Sequence, residues 1–157
     1  MKTNKLILSL LSLTAVMSTL LARAADPALM EPVKSVYDHY LKIQTSLAKD
    51  SLTDVSDHAK AMAKAIQGDD MKMFPPEIAA QAGKLAEAGD LKAARKAFKP
   101  LSESLIKYLA DHKVKSGSFT EAYCSMAEAS WLQTGKKISN PYLGKEMLTC
   151  GEVKRIF

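Results

Sequence analysis

Two short runs near the C-terminal end place sulfur ligands in mirrored order: Cys124-Ser125-Met126 and Met147-Leu148-Thr149-Cys150. Each pairs one thiol with one thioether. Soft sulfur donors select Cu(I) or Ag(I) over hard cations such as calcium or magnesium, and a Cys/Met set needs no histidine to do so. If the two runs meet as neighbouring turns or strands, Cys124, Met126, Met147 and Cys150 can face one ion. The same two cysteines have a second chemistry open to them. A Cys124–Cys150 disulfide would close a loop of 26 residues, which the chain-entropy model values at about 3.5 kcal/mol. The methionines would then serve as ordinary core packing. Both alternatives stand on the sequence chemistry alone.

Other candidate groups are weaker. His112 continues the apolar stripe of the fourth predicted helix one turn beyond Tyr108, so it is a further candidate metal ligand if it points toward the sulfur cluster. Alternatively it interacts with the helix C-terminus as a cation. His39 and His58 fall beside apolar stripes and are expected to be solvated. Met71 and Met73 form a second methionine pair, expected to cover the end of the helical part before Pro75. Trp131 reads as a core anchor.

Several function classes are excluded by pattern. There is no C-x-x-C, P-loop, G-x-S-x-G or H-E-x-x-H motif in the chain, so nothing marks thiol exchange, nucleotide hydrolysis, a serine nucleophile or a zinc protease. The expectation is a protein that is not an enzyme. Met30 and His112 could in principle supply axial haem ligands. No C-x-x-C-H attachment run exists, and the stripe residues are sized to fill their own core, so haem is not expected.

These residues need elements to position them, and those elements begin after the N-terminus. Lys2 and Lys5 precede Leu6 to Ala22, an uncharged apolar run of seventeen residues, and Ala22-Arg23-Ala24 presents small residues at both key positions of a cleavage site. Residues 1–24 therefore read as a signal peptide and 25–157 as one domain, with export to the periplasm or beyond. Without Lys2, Lys5 and Arg23, 19 basic residues face 17 acidic ones, a net charge of +2 against +5 for the whole chain. No basic stripe remains for nucleic acid. No second apolar run reaches spanning length, so no stable membrane anchor is expected after cleavage. Disulfides are permitted in such a compartment.

Four helical stripes follow. Val33, Val36, Tyr40, Ile43 and Leu47 recur at helical spacing within 29–48, and Leu52, Val55, Ala59, Met62 and Ile66 within 52–67. Ser51 with Asp54 suggests a capping box for the second. Pro75 and Pro76 suit the first turn of a third helix, with Gly89 as its expected C′ glycine. Asp90 caps a fourth over about 91–111, which Pro100 is expected to kink near Lys96 to Lys99. The prediction is an all-α fold: an antiparallel four-helix bundle over 28–113 with an irregular C-terminal cap over 114–157, built of turns and short strands.

The cap motif Tyr123-Cys124-Ser125-Met126-Ala127, Trp131-Leu132, Ile138-Ser139-Asn140-Pro141-Tyr142-Leu143-Gly144 and Met147-Leu148-Thr149-Cys150-Gly151-Glu152-Val153 resembles a bacterial exported domain of unknown function. That domain is found alone or at the C-terminus of copper/silver efflux membrane-fusion proteins. Val36-Tyr37-Asp38-His39-Tyr40-Leu41 and Arg95-Lys96-Ala97-Phe98, with Leu101-Ser102, extend the likeness into the helices. Where the family pattern commonly carries proline between the first Cys and Met, this chain has Ser125. The resemblance implies Cu(I) or Ag(I) handling, with Cys124, Met126, Met147 and Cys150 as candidate ligands. Trp131, Asn140, Pro141, Tyr142 and Gly144 become motif scaffold, and an efflux membrane-fusion protein or another periplasmic metal-handling protein a candidate partner. The other expectation is a disulfide-stapled helical interaction module with no metal site.

Overall fold

The computed structural model describes residues 29–157, so the expected signal peptide lies outside the described residues. Four helices come first: α1 (Val33–Ala48), α2 (Val55–Gln67), α3 (Pro76–Ala86) and α4 (Leu91–Asp111). Three strands follow, β1 (Thr120–Cys124), β2 (Ala129–Gln133) and β3 (Glu152–Ile156), with a short 3-10 turn at Gly144–Met147 between the last two.

The apolar stripes are the faces that the helices bury. Val36, Tyr40, Ile43 and Leu47 of α1 are inaccessible to solvent, as are Ala59 and Met62 of α2, Ala82 of α3, and Phe98, Leu101 and Leu105 of α4. Asp90 caps α4 as expected, its side chain accepting the Ala93 amide N–H at 2.7 Å. Pro100 is accommodated within a continuous 21-residue helix. Two cap expectations fail. Asp54 adopts a left-handed conformation (φ 61°) with no side-chain cap bond, while the Ser51 hydroxyl accepts the N–H of Thr53 instead. Gly89 is not among the positive-φ glycines, and Glu87 takes the C-cap position of α3.

The class expectation is corrected here: the protein is not all-α. The C-terminal segment forms a three-stranded antiparallel sheet of order β2-β1-β3. β1 pairs with β2 through Thr120↔Gln133 to Cys124↔Ala129, and with β3 across a register shift between Glu121 and Ala122. Nor is the helical part a closed bundle. Successive helices pack against each other, whereas α1 and α4 meet through long side chains, Tyr37 donating to the Leu105 carbonyl at 2.7 Å and Tyr40 stacking on Phe98, with β2 lying against both. Trp131 and Leu132 of β2 are fully buried there. The Leu132 amide donates to the Tyr40 hydroxyl at 3.0 Å, and that hydroxyl also bonds Ser102 of α4 at 2.8 Å. One buried phenol thus joins α1, α4 and the sheet, satisfying a strand amide at no cost to the ladder. The sheet is a wall of the core rather than an appended cap. β3 is the outer edge and is exposed along its length. No described helix is long and apolar enough to cross a membrane.

Candidate functional site

The structure brings Cys124 and Cys150 together as a disulfide, with their Cα atoms 5.9 Å apart. Cys124 ends β1 and is buried; Cys150 is half-buried on the turn before β3. Two local features aim them at each other. The β1–β2 hairpin turns over Ser125–Glu128, with the Glu128 N–H donating to the Ser125 carbonyl at 3.2 Å and Glu128 at φ 47°. On the other side, the Cys150 N–H donates to the Met147 carbonyl at 2.9 Å, closing a turn. Gly151 then runs at φ 141°, where a Cβ would lie 2.9 Å from both the Trp131 ring and the Tyr123 carbonyl oxygen. Only glycine lets the chain pass that closely into β3.

Met126 and Met147 flank the pair, and neither is core. Met126 stands on the hairpin turn with 66% of its surface exposed, and Met147 ends the 3-10 turn at 37%. Met71, at 71%, is exposed as well, so it does not cover the end of the helical part, whereas Met73 packs against the core. The core-packing account of the two cap methionines is therefore replaced by solvent-facing thioethers beside a cystine.

Asn140 carries the second half of the site. It is fully buried, and both polar atoms of its side chain are bonded. Its Nδ2 donates to the Cys150 carbonyl at 2.8 Å, its Oδ1 accepts the N–H groups of Tyr142 (2.8 Å) and Leu143 (3.0 Å), and its own N–H reaches the Leu148 carbonyl at 2.8 Å. The Asn-Pro-Tyr motif is thus an Asx-type turn whose amide side chain grips the cystine strand. Pro141 offers its carbonyl to Arg95 Nε at 2.8 Å. Tyr142 donates to the Ser130 carbonyl at 2.9 Å and meets Trp131 edge-on; burial pushes its phenol well above the ordinary range. Trp131 Nε1 donates to Gln133 Oε1 at 2.9 Å. Of the motif residues, Asn140 bonds Cys150 directly, while Pro141 and Tyr142 tie the same turn to Arg95 and Ser130.

His112 is exposed at the end of α4. Its Nδ1 lies 2.9 Å from the Tyr108 carbonyl and its ring stacks on Tyr108, next to the cleft walled by Phe74, Pro76 and Ile78. Its contacts are with its own helix and that cleft. Among the described residues, no three His, Cys, Asp or Glu side chains converge as a metal-ligand group.

Two features of the site's surroundings escaped the sequence. Arg95 Nη2 donates to the Leu47 carbonyl (3.1 Å) and pairs with Asp50, which in turn accepts the Lys145 N–H at 3.0 Å. This arginine holds the end of α1 and the Pro141–Lys145 segment together, and its bonds hold the Asp50 carboxyl below the usual range. Partners 45 to 48 residues apart leave no local signal. The second is a correction: His39 and His58 are not separately solvated but touch, Nδ1 to Nδ1 at 3.0 Å, both half-buried. Burial first, then His58 and Lys42, lower the His39 pKa below its ordinary 6.5, with Asp38 opposing. The folded protein therefore prefers the neutral ring, while the unfolded chain takes up the proton as pH falls below about 6.5. Stability from this residue is intact above that value and declines as pH falls toward the folded pKa. Denaturation midpoints measured between pH 7.5 and 5 should fall, and the decline should be shallower in His39→Gln. An equal slope in the variant would assign the acid sensitivity elsewhere.

Residues 36–117 match the family described as "Protein of unknown function (DUF3347)". The chain belongs to this family. The matched span runs from within α1 through α4 to the loop before β1, so the family's helical scaffold is shared while the sheet and both cysteines lie beyond it. Searches among curated proteins and among solved structures return no match.

Proposed function

We propose that this protein is a non-enzymatic, exported module that binds or relays Cu(I) or Ag(I) at Cys124, Met126, Met147 and Cys150, in the service of metal efflux. One observation carries this reading: Met126 and Met147 both face solvent on the two turns flanking the cysteine pair. The two thioethers stand on exposed turns within three residues of the cysteines, and with the reduced thiols they make a soft-donor set. The bonded cysteines make the site redox-dependent. Opening the disulfide takes two electrons and two protons from a dithiol, which becomes a disulfide in exchange. The released thiols lose their protons on binding the ion. A membrane-fusion component of a copper/silver efflux system, or another periplasmic metal-handling protein, is the partner this chemistry suits. That assignment rests on the sequence resemblance of the cap motif.

Titration of Ag(I) into the anaerobically reduced protein, followed by native mass spectrometry, tests it. The expected result is one saturable adduct. Met126→Leu with Met147→Leu should weaken it at least tenfold while changing stability by no more than about 0.5 kcal/mol, as is usual for exposed side chains. Undiminished affinity in the double variant would remove the thioethers from the site. The formed disulfide favours a second reading, a stapled helical interaction module with no metal site. It requires that the reduced protein take up no specific silver and that the oxidised form be the active one.

A further inference from the structure

A second cluster of metal-competent nitrogens lies apart from the sulfur residues. His39 of α1 and His58 of α2 face each other across the α1–α2 seam, with ring centroids 5.1 Å apart and planes tilted by 42°. Their Nδ1 atoms are 3.0 Å apart. Such a contact requires one Nδ1–H and one lone pair, so at least one ring is neutral. If the donor ring shifts its proton to Nε2, both Nδ1 lone pairs become free, and the rings turn by up to roughly 45° for them to meet at one ion.

The present separation fits one coordination geometry as it stands. Metal–imidazole bonds of about 2.0–2.1 Å to two nitrogens 3.0 Å apart subtend roughly 91–97° at the ion. That is the cis angle of a tetragonal or octahedral centre. A tetrahedral ion needs nitrogens about 3.3–3.4 Å apart, and a linear two-coordinate ion about 4 Å. Tetragonal nitrogen–oxygen sites suit Cu(II) and Ni(II), and Cu(II) heads the affinity order. We infer that His39 and His58 form a two-imidazole site for a tetragonal divalent cation, Cu(II) foremost, with water in its remaining positions.

The surroundings fit an exchangeable rather than a buried site. Both rings are half-buried, and His58 lines an open groove. From α1, Asp38 favours a cation, Lys42 opposes one, and Lys34 is paired with Asp38. From the α2 side, Asp54 lines the same groove as His58. Two opposing lysines and two carboxylates leave the local field near neutral, so the imidazoles supply the affinity. Binding to two neutral rings releases no proton. This site uses none of the sulfur residues and does not depend on the function proposed for them.

The test titrates Cu(II), and separately Zn(II), into the purified protein with its disulfide intact, read by electron paramagnetic resonance and by competition. One saturating Cu(II) equivalent is expected, with an axial spectrum split by two imidazole nitrogens and Cu(II) preferred over Zn(II). His39→Gln and His58→Gln should each weaken it at least tenfold, and His112→Gln should leave it unchanged. Unaltered affinity in the His39 and His58 variants would overturn the site, as would loss in His112→Gln or Zn(II) bound as tightly as Cu(II). Should a variant fail to fold, the unmutated protein labelled with ¹⁵N-histidine keeps the question open to refutation. The splitting must change for two nitrogens, and an unchanged spectrum would overturn the assignment.

Discussion

Reducing the Cys124–Cys150 bond should lower the free energy of unfolding by about 3.5 kcal/mol. The bond closes a loop of 26 residues, and opening it returns that loop's conformational freedom to the unfolded chain. The loop is not idle in the fold. It contains β2, with Trp131 and Leu132 buried, and the Asn140 turn that grips the Cys150 carbonyl. Reduction of the unmutated protein is a cleaner comparison than Cys→Ser, because Cys124 is 1% exposed and a hydroxyl there would be buried without a designed partner. The measurement is chemical denaturation of oxidised and reduced protein, followed by the fluorescence of Trp131, the single tryptophan. A difference below about 1 kcal/mol would mean that the reduced unfolded ensemble already holds these segments together.

Gly144→Ala should cost about 2–5 kcal/mol, from two terms of separate origin. The residue sits at φ 58°, a left-handed conformation that an alanine adopts at a cost of roughly 1–2 kcal/mol. A Cβ there would also overlap the Asp50 carboxylate and the Arg95 guanidinium. Forcing such an overlap typically costs about 1–3 kcal/mol. Neither group can simply swing away. Asp50 is held by Arg95 and the Lys145 N–H, and Arg95 by the Leu47 and Pro141 carbonyls. A double-mutant cycle separates the terms. In an Asp50→Ala background the overlap with the carboxylate disappears, so Gly144→Ala should cost less than it does alone. An identical penalty in both backgrounds would assign the whole effect to backbone strain.

The helical scaffold was legible because its signals are local. The stripes through Val36, Tyr40 and Leu47 and through Phe98, Leu101 and Leu105 repeat within a single helix, and burial follows them. Asp90 was legible for the same reason, since a cap acts over three residues. The cap at Asp54 misled because Ser51 found a nearer partner in the Thr53 N–H. Side-chain turns of this kind compete with helix caps for the same residue types. The sheet was invisible as a sheet. Its strands are five residues long. β1 is buried at four of its five positions and so shows no polar–apolar alternation, and its second partner, β3, begins almost thirty residues after β1 ends.

The candidate site divides along the same line. The Asn-Pro-Tyr-x-Gly scaffold came from the family resemblance, while from residue types and order alone came the sulfur set and the choice between a disulfide and a soft ion. These depend on chemistry each residue carries wherever it lies. Tertiary structure alone decided that Cys124 and Cys150 are within bonding reach, that Met126 and Met147 face solvent, and that Arg95 with Asp50 fastens Gly144 to the end of α1. It likewise brought His39 to His58, nineteen residues apart on two helices. Each of these depends on where one element settles against another. That is set by the summed burial of whole faces and not by any residue's own preference, so no short stretch of sequence records it.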